Sequence, residues 1–422
     1  MIDPQQVRLE PGTRTFAGVL GNEAALRLLE NALVSGEVAH AYLFHGPPGV
    51  GKRTVARRFG AALVAGGDAG AEDRARRGLH PDLTEIEPEG AFTTIGQVRE
   101  VVRLAASRPF EGARRFFILR AETLNVQAAN ALLKTLEEPE GEAVFVLLAS
   151  SREGVLPTIV SRAQAVRFNP VPPGVVARYL EERGVELAVA TEDLESNATA
   201  SSEGGVASEA SDPNATPPSV ESGLAAALGR GSVGLSLRYA KEGELKELRE
   251  AVFEGGFAFS QDYEERNRAV GRIVARAEAV GAAREEAFLG AFEEPSSTRA
   301  KEGAKRAGRA ARDGAVREAL ELLALLYRDA AAIEAGAPEL VANVDKVGEI
   351  RRRVEELPGA DWAGAALELW EARVALAYNV SPEPILEVSL SRMRRRILES
   401  SPGSLTSASP AGARRGSATP GI

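Results

Sequence analysis

The feature that most constrains this chain is a glycine-rich motif between a strand pattern and a helix pattern. Residues 46–54 read GPPGVGKRT, after the apolar run Ala41–His45 and at the start of the amphipathic run Arg53–Val64. The backbone N–H groups of such a loop can turn toward phosphate oxygens, and the helix N-terminus adds partial positive charge. The motif therefore predicts a phosphate-binding loop, or P-loop, at the end of a β-strand.

The candidate nucleotide-binding residues lie in this loop and in the first turn of the helix: Gly46, Gly49, Gly51, Lys52, Arg53 and Thr54. The glycines allow close approach of phosphate, and the lysine would reach the outer phosphates. The alternative interpretation is a glycine-rich strand-to-helix turn that binds nothing. The motif predicts ATP or phosphate as a ligand.

Two positions that hold Mg²⁺ in P-loop ATPases carry unsuitable residues. The hydroxyl expected directly after the lysine is replaced by Arg53, and Thr54 is turned about 100° around the helix. The apolar strand that should end in an acidic residue ends in Leu119 and Arg120, with Glu122 displaced along the chain. We therefore expect neither Mg²⁺ binding nor intrinsic ATP hydrolysis.

Strand and helix patterns alternate over the first 170 residues, which predicts an α/β fold with a parallel sheet. The strand runs are Ala41–His45, Leu83–Glu87, Arg115–Leu119, Ala143–Ala149 and Ala165–Phe168, and the helical runs between them include 95–106 and 126–137. The PVPP sequence at 170–173 indicates a domain boundary.

The remaining sequence is helical and is interrupted by segments with few large apolar residues. We predict domains at 1–170, 171–255 and 256–399, the last of them all-α. Residues 192–222 within the second domain, and 400–422 at the end, are predicted to be disordered because they cannot bury enough apolar surface.

Composition excludes several classes of site. The chain has no cysteine and three histidines, so thiolate metal sites are excluded and a histidine-rich metal site is not expected. The net charge of −9 disfavours nonspecific nucleic-acid binding by the whole chain. No apolar run reaches the roughly 18 residues of a membrane span, and no secretory signal pattern is present, so we expect a cytoplasmic protein.

Several further segments resemble the bacterial clamp-loader family of AAA+ proteins. They are FAGVLG at 16–21, AHAYLFHG at 39–46, HPD at 80–82, IGQVR at 95–99, VQAANALLKTLEEP at 126–139 and LPTIVSR at 156–162. The degenerate ATPase positions make the resemblance closest to the delta-prime subunits of DNA polymerase III rather than to the motor subunits, gamma and tau. The match is dense over residues 16–170.

The resemblance implies an AAA+ domain, a small helical lid and an all-α collar that joins subunits in a hetero-oligomeric ring. It implies gamma or tau and delta as partners, with the sliding clamp and primed DNA contacted through the complex. By the same resemblance, Arg162 is the arginine donated in trans to the ATPase site of a neighbouring subunit. Apolar residues of 320–326 and 362–378 are expected to bury themselves against partner subunits.

The chain departs from the family where relatives usually carry four zinc-binding cysteines, because residues 65–78 contain none. Zinc is therefore not expected. Two rival interpretations stay open. One is an active gamma-like ATPase in which Glu122 replaces the missing acid, and the other is a regulatory AAA+ protein that senses nucleotide. His40 and His45 are expected to have packing or capping roles, and Ser150 to cap a strand end.

Overall fold

A computed structural model describes residues 15–88, 92–137, 141–183, 219–257, 263–290, 296–375 and 382–400. The chain divides into two compact units, the first formed by 1–188 and 216–241 and the second by 189–215 and 242–422. Most of the segment predicted to be disordered, 192–218, and the tail 401–422 lie outside the described residues. Residues 220–222 of that segment begin a helix.

The first unit contains a five-stranded sheet in the order β2-β3-β4-β1-β5, and every neighbouring pair is parallel. The strands are β1 (Ala41–His45), β2 (Leu83–Glu85), β3 (Arg115–Arg120), β4 (Ala143–Ala149) and β5 (Gln164–Arg167). Parallel strands joined by helical crossovers place all their carboxyl ends at one edge, where ligands of α/β proteins bind. This sheet, with the helical second unit, confirms the predicted fold class.

Helices cover both faces of the sheet because strand side chains alternate between them. Tyr42 and Phe44 pack in a core with helices α1 (Glu23–Ser35), α2 (Lys52–Ala65) and α3 (Ala69–Arg76). Leu43 points to the opposite core, formed with α4 (Ile95–Ala105), α5 (Val126–Glu137) and α6 (Pro157–Val160). The three central strands, β1, β3 and β4, are therefore buried on two sides, as their nearly continuous apolar sequences predict.

The His-Pro-Asp segment has a structural role beside β2. The buried Asp82 carboxylate accepts hydrogen bonds from the backbone N–H groups of Phe110, Glu111 and Gly112 at 2.7–2.9 Å. Burial alone would raise the pKa of this carboxyl. The three N–H donors and the nearby Arg115 guanidinium outweigh that effect, and the pKa lies below its usual value. Asp82 thus fixes the loop that precedes β3.

The described part of the first unit also contains α7 (Pro173–Glu182), α8 (Val220–Leu228) and α9 (Val233–Lys241). α8 packs against both α7 and α9. Glu181 on α7 accepts hydrogen bonds from the backbone N–H of Ser219 and, at 2.9 Å, from the Ser222 hydroxyl. These contacts join α7 to α8 across the residues that lie outside the described ranges.

The second unit is helical throughout its described residues, as predicted. It consists of α10 (Gly243–Gly256), α11 (Tyr263–Gly290), α12 (Thr298–Glu334), α13 (Val347–Glu356), α14 (Trp362–Ala375) and α15 (Pro382–Ser400). α12 is central and packs against α10, α11, α13 and α14. No helix in the described ranges combines the length and the apolarity needed to cross a bilayer.

The expectation that the apolar residues of 320–326 face partner subunits is wrong. Leu320, Leu323 and Leu326 are buried in the core of their own unit, because α12 is surrounded by other helices. The exposed large apolar side chains in the described part of this unit are instead Leu367 and Trp370 on α14, Val388 on α15, and Leu340 and Val344 between α12 and α13.

Candidate nucleotide-binding site

The glycine-rich loop lies between β1 and α2, as the sequence predicts. Gly46 and Gly49 have φ angles of 145° and 77°, which L side chains rarely adopt. A Cβ at Gly46 would lie 2.0 Å from the Phe168 carbonyl oxygen, and one at Gly49 would lie 2.0 Å from Ser232 Oγ. The loop conformation is therefore available only to glycine at these positions.

Lys52 is turned onto the carbonyl groups of its own loop. Its ammonium donates hydrogen bonds to the Gly46 carbonyl oxygen and, at 2.6 Å, to that of Pro47. Burial lowers the pKa of Lys52 to about 8, and the nearby Glu122 carboxylate opposes this shift. A phosphate could replace the two carbonyl oxygens as acceptor without moving the lysine far.

The low pKa of Lys52 predicts pH-dependent nucleotide binding. The free protein loses the ammonium as pH rises through about 8, so metal-free ATP should bind up to about tenfold more weakly near pH 9 than near pH 7. Isothermal titration in the presence of a chelator measures this affinity. Lys52→Arg is the matched control because guanidinium stays charged across this range. An equally steep pH dependence in Lys52→Arg would contradict the assignment to Lys52.

Arg53 belongs to a chain of alternating charges at the carboxyl ends of β2 and β3. Its guanidinium pairs with Glu85 through Nε and with Glu87 through Nη2. Arg57 also binds Glu85, with Nε 2.7 Å from Oε2, and Arg120 Nη2 lies 3.7 Å from Glu87 Oε2. A cation thus occupies the helix position from which a Ser or Thr hydroxyl would bind Mg²⁺.

Glu122, the acid displaced from its expected position, is engaged with Ser150. Its carboxylate accepts hydrogen bonds from the Ser150 backbone N–H at 2.6 Å and from the Ser150 hydroxyl at 3.1 Å. Ser150 directly follows β4, so this contact closes the strand end, as predicted. Thr54 is exposed on α2. Within the described ranges, no group of three or more acidic or histidine side chains is arranged to hold a metal ion.

Sequence reasoning missed Ser232, which contacts the glycine-rich loop from the residue before α9. Its hydroxyl donates to the Gly49 carbonyl oxygen at 3.0 Å and accepts from the Leu235 backbone N–H at 3.1 Å. The second contact is an N-cap pattern that the sequence could have indicated. The first joins residues 183 positions apart and carries no local signal.

Arg162 lies outside the glycine-rich loop, just after α6. Its Nη2 forms an ion pair with the Glu137 carboxylate at the end of α5. Its Nη1 donates to the Thr158 carbonyl oxygen at 2.9 Å and to Ser161 Oγ at 3.1 Å. The guanidinium is partly exposed, and none of these contacts involves residues 46–54.

His40 forms a hydrogen bond with the last turn of α5. Its Nε2 lies 2.6 Å from the carbonyl oxygen of Leu136. Because a carbonyl oxygen only accepts hydrogen bonds, Nε2 must carry the proton. This is the capping role predicted for His40, and it fixes the last turn of α5, which carries Glu137.

Comparison with known proteins places the similarity in the first unit. Residues 21–172 match the model of a family described as DNA polymerase III, delta subunit. The delta-prime subunit of Pseudomonas aeruginosa is 42% identical over 29% of this chain and 41% of the relative. That of Bacillus subtilis is 31% identical over 38% of this chain and 51% of the relative.

Subunits named tau or gamma/tau match as well. The tau subunit of Salmonella typhimurium is 31% identical over 40% of this chain and 27% of its own length. The chain thus spans about half or less of the length of these curated relatives. A solved gamma-subunit-related protein of Thermotoga maritima is 16% identical, covers 89% of this chain and 99% of its own, and has a TM-score of 0.38. The sequence matches confirm the predicted resemblance to the clamp-loader family.

Proposed function

From the match of residues 21–172 to the DNA polymerase III delta-subunit family, we propose that this chain is a non-hydrolysing, delta-prime-like subunit of a bacterial clamp loader. It acts in the cytoplasm as a scaffold during the loading of a sliding clamp onto primed DNA. Its partners are the motor subunits gamma or tau, together with delta, in a hetero-oligomer. The clamp and the DNA are contacted through that complex.

The observation that carries the non-hydrolysing role is the charge chain around Arg53. Mg²⁺ in a P-loop ATPase needs a hydroxyl on the first turn of the helix and an acid at the end of a second strand of the sheet, which here is β3. Here the first position is a guanidinium paired with Glu85 and Glu87, and Arg120 lies at the second. Bringing a divalent cation here would place it beside fixed positive charge. ATP or phosphate binding through Lys52 is compatible with this arrangement.

The active part of the proposed role is the donation of Arg162 to a neighbouring subunit. A guanidinium supplied across an interface can stabilise the charge that develops on the γ-phosphate during transfer. Arg162 suits this role because it is partly exposed and lies just after α6, which packs on α5. No residue of this chain needs to activate water.

The experiment that tests the scaffold role measures ATP turnover with Mg²⁺ by the purified chain and by its mixture with motor subunit and delta. We expect no turnover by the chain alone, because the metal ligands are absent from their positions, and turnover by the mixture. Robust turnover by the isolated chain would contradict the proposal. In that case Glu122→Gln should abolish it, as the gamma-like interpretation requires.

Both the scaffold and a nucleotide sensor can bind ATP through Lys52, but only the sensor needs that binding for its function. It should be thermally stabilised by ATP, and Lys52→Ala should remove that stabilisation. The scaffold should instead support clamp loading by the mixture in the Lys52→Ala background. Loss of loading in that variant would favour the sensor.

A further inference from the structure

The proposed function requires the Arg162 guanidinium at the ATP site of a neighbouring subunit, but here that guanidinium is paired with Glu137 of its own chain. The Glu137 carboxylate binds Nη2, while the Thr158 carbonyl oxygen and Ser161 Oγ take the hydrogens of Nη1. Both ends of the guanidinium fork are therefore engaged within this chain. A phosphate of a neighbouring subunit could not bind the fork in this position without displacing at least one of these acceptors.

The carboxylate and a phosphate compete for the same chemical feature. Each presents two oxygens that accept parallel hydrogen bonds from a guanidinium. A nucleoside triphosphate carries more negative charge than one carboxylate, so it can take the guanidinium from Glu137 when a neighbouring subunit presents it. Without that nucleotide, the Glu137 carboxylate is the anion that pairs with Arg162 among the described residues.

Two observations indicate that the Arg162 side chain can leave the position in which it binds Glu137. Nε is buried and finds no acceptor among the described residues, so the guanidinium is incompletely satisfied where it lies. The pair is also open to solvent, with 45% of the Glu137 side chain and 32% of the Arg162 side chain exposed. An ion pair this exposed is weak and easily exchanged.

The backbone that carries the Glu137 carboxylate is held in place. Glu137 is the last residue of α5, and the preceding carbonyl group, of Leu136, is bound by His40 Nε2 at 2.6 Å. α6 packs directly on α5, so the backbone of Arg162 is set against the same helix. The mobile part of the pair is therefore the long arginine side chain rather than the backbone that carries either residue.

We propose that Glu137 retains Arg162 inside this chain until the nucleotide of a neighbouring subunit displaces it. The inference rests on the proposed function and assigns Glu137 as a positioning residue for it. Retention keeps the arginine from completing the neighbouring site before ATP is bound there. Removing the Glu137 carboxylate should raise the fraction of molecules in which Arg162 is free to bind the neighbouring nucleotide. The value of kcat/KM for ATP at that site should therefore rise.

The test is Glu137→Gln in the assembled complex with motor subunit and delta. The readout is the phase of γ-phosphate release that Arg162→Ala removes, because that phase reports the site completed by this chain. We expect kcat/KM of this phase to rise about 2- to 5-fold, the range for loss of an exposed ion pair, with kcat little changed at saturating ATP. A merely structural role would lower both parameters.

The matched control is Glu100→Gln, which removes another exposed carboxylate paired with an arginine, Arg103, in the same unit. It should leave both parameters unchanged. The double variant Glu137→Gln/Arg162→Ala should behave as Arg162→Ala alone. Retention is overturned if Glu137→Gln lowers kcat/KM or leaves it unchanged. It is also overturned if the double variant releases phosphate faster than Arg162→Ala alone.

A measurement on the isolated chain separates failure of the inference from failure of the proposed function. Nitrogen NMR of the arginine side chains should show the Arg162 guanidinium rotating more freely in Glu137→Gln than in the wild type. If this holds but Arg162→Ala leaves ATP turnover by the complex unchanged, arginine donation is wrong and retention has no function to serve. If Arg162→Ala slows turnover and Glu137→Gln does not raise efficiency, only retention is wrong.

Discussion

Arg162→Ala is expected to slow phosphate release at the neighbouring ATP site by about 10³-fold or more. In the proposed role, loss of the guanidinium leaves the negative charge that develops on the transferred phosphoryl group without its donor from the neighbouring subunit. The measurement is single-turnover phosphate release by the complete assembly with clamp and primed DNA. One phase should disappear, while the phases from sites completed by other subunits remain.

Two variants show whether this loss is specific. Arg162→Lys keeps the charge but lacks the planar fork, and should restore little of the rate. Arg103→Ala removes an exposed arginine that is paired with Glu100 on α4, and should leave every phase intact. Unchanged release in Arg162→Ala, with the complex still assembled, would contradict the donation of this arginine.

The second large effect is expected on the stability of the second unit. The fully buried Asp329 carboxylate on α12 accepts hydrogen bonds from the backbone N–H groups of Ala342 and Asn343 and from the Asn343 side chain, at 2.7–3.1 Å. Asn343 in turn accepts from Arg249 Nη2 at 3.0 Å, and Arg249 forms a bidentate pair with Asp345. One carboxylate thus connects α12, the segment before α13, and α10.

Asp329→Ala should lower the free energy of unfolding of this unit by about 3 to 5 kcal/mol, because it leaves several buried donors without an acceptor. Denaturant unfolding followed by tryptophan fluorescence reports this unit alone, because both tryptophans of the chain, Trp362 and Trp370, belong to it.

The control for this prediction is Asp313→Ala. Asp313 lies on the same helix but is exposed, and it forms an ion pair with the adjacent Arg312. Its loss should change the free energy of unfolding by no more than about 0.5 kcal/mol. Equal effects of the two substitutions would mean that the buried network contributes little to stability.

Local patterns predicted the elements that carry the site. β1, β4 and α5 have the predicted bounds, because each is a long apolar or strongly periodic run. The glycine-rich loop could be placed because its function needs special backbone angles at Gly46 and Gly49, which lie within six positions of Lys52. Helix α1 was not predicted, although its buried residues Ala25, Leu29 and Leu33 have helical spacing.

The partners of the site residues could not be predicted in the same way. Arg53 and Arg162 were identified from motifs, but Glu87 lies 34 positions from Arg53 and was recognised only as part of a strand pattern. Glu137 belonged to a helix end with no indicated role. Such pairs depend on which helix packs on which strand, and a charged residue on an exposed face gives no local sign of its partner.

The charge chain at the carboxyl ends of β2 and β3 has a consequence for how this protein can change over generations. Replacing Arg53 by threonine would supply one hydroxyl but, among the described residues, would leave Glu87 with Arg120, 3.7 Å away, as its cation. Adding an acid at Arg120 would then place a further negative charge beside it. Each single substitution toward a metal site is unfavourable while the other residues of the charge chain stay unchanged. The effects of these substitutions are therefore epistatic. The present arrangement is in this sense entrenched, and a return to metal binding would require several coordinated substitutions.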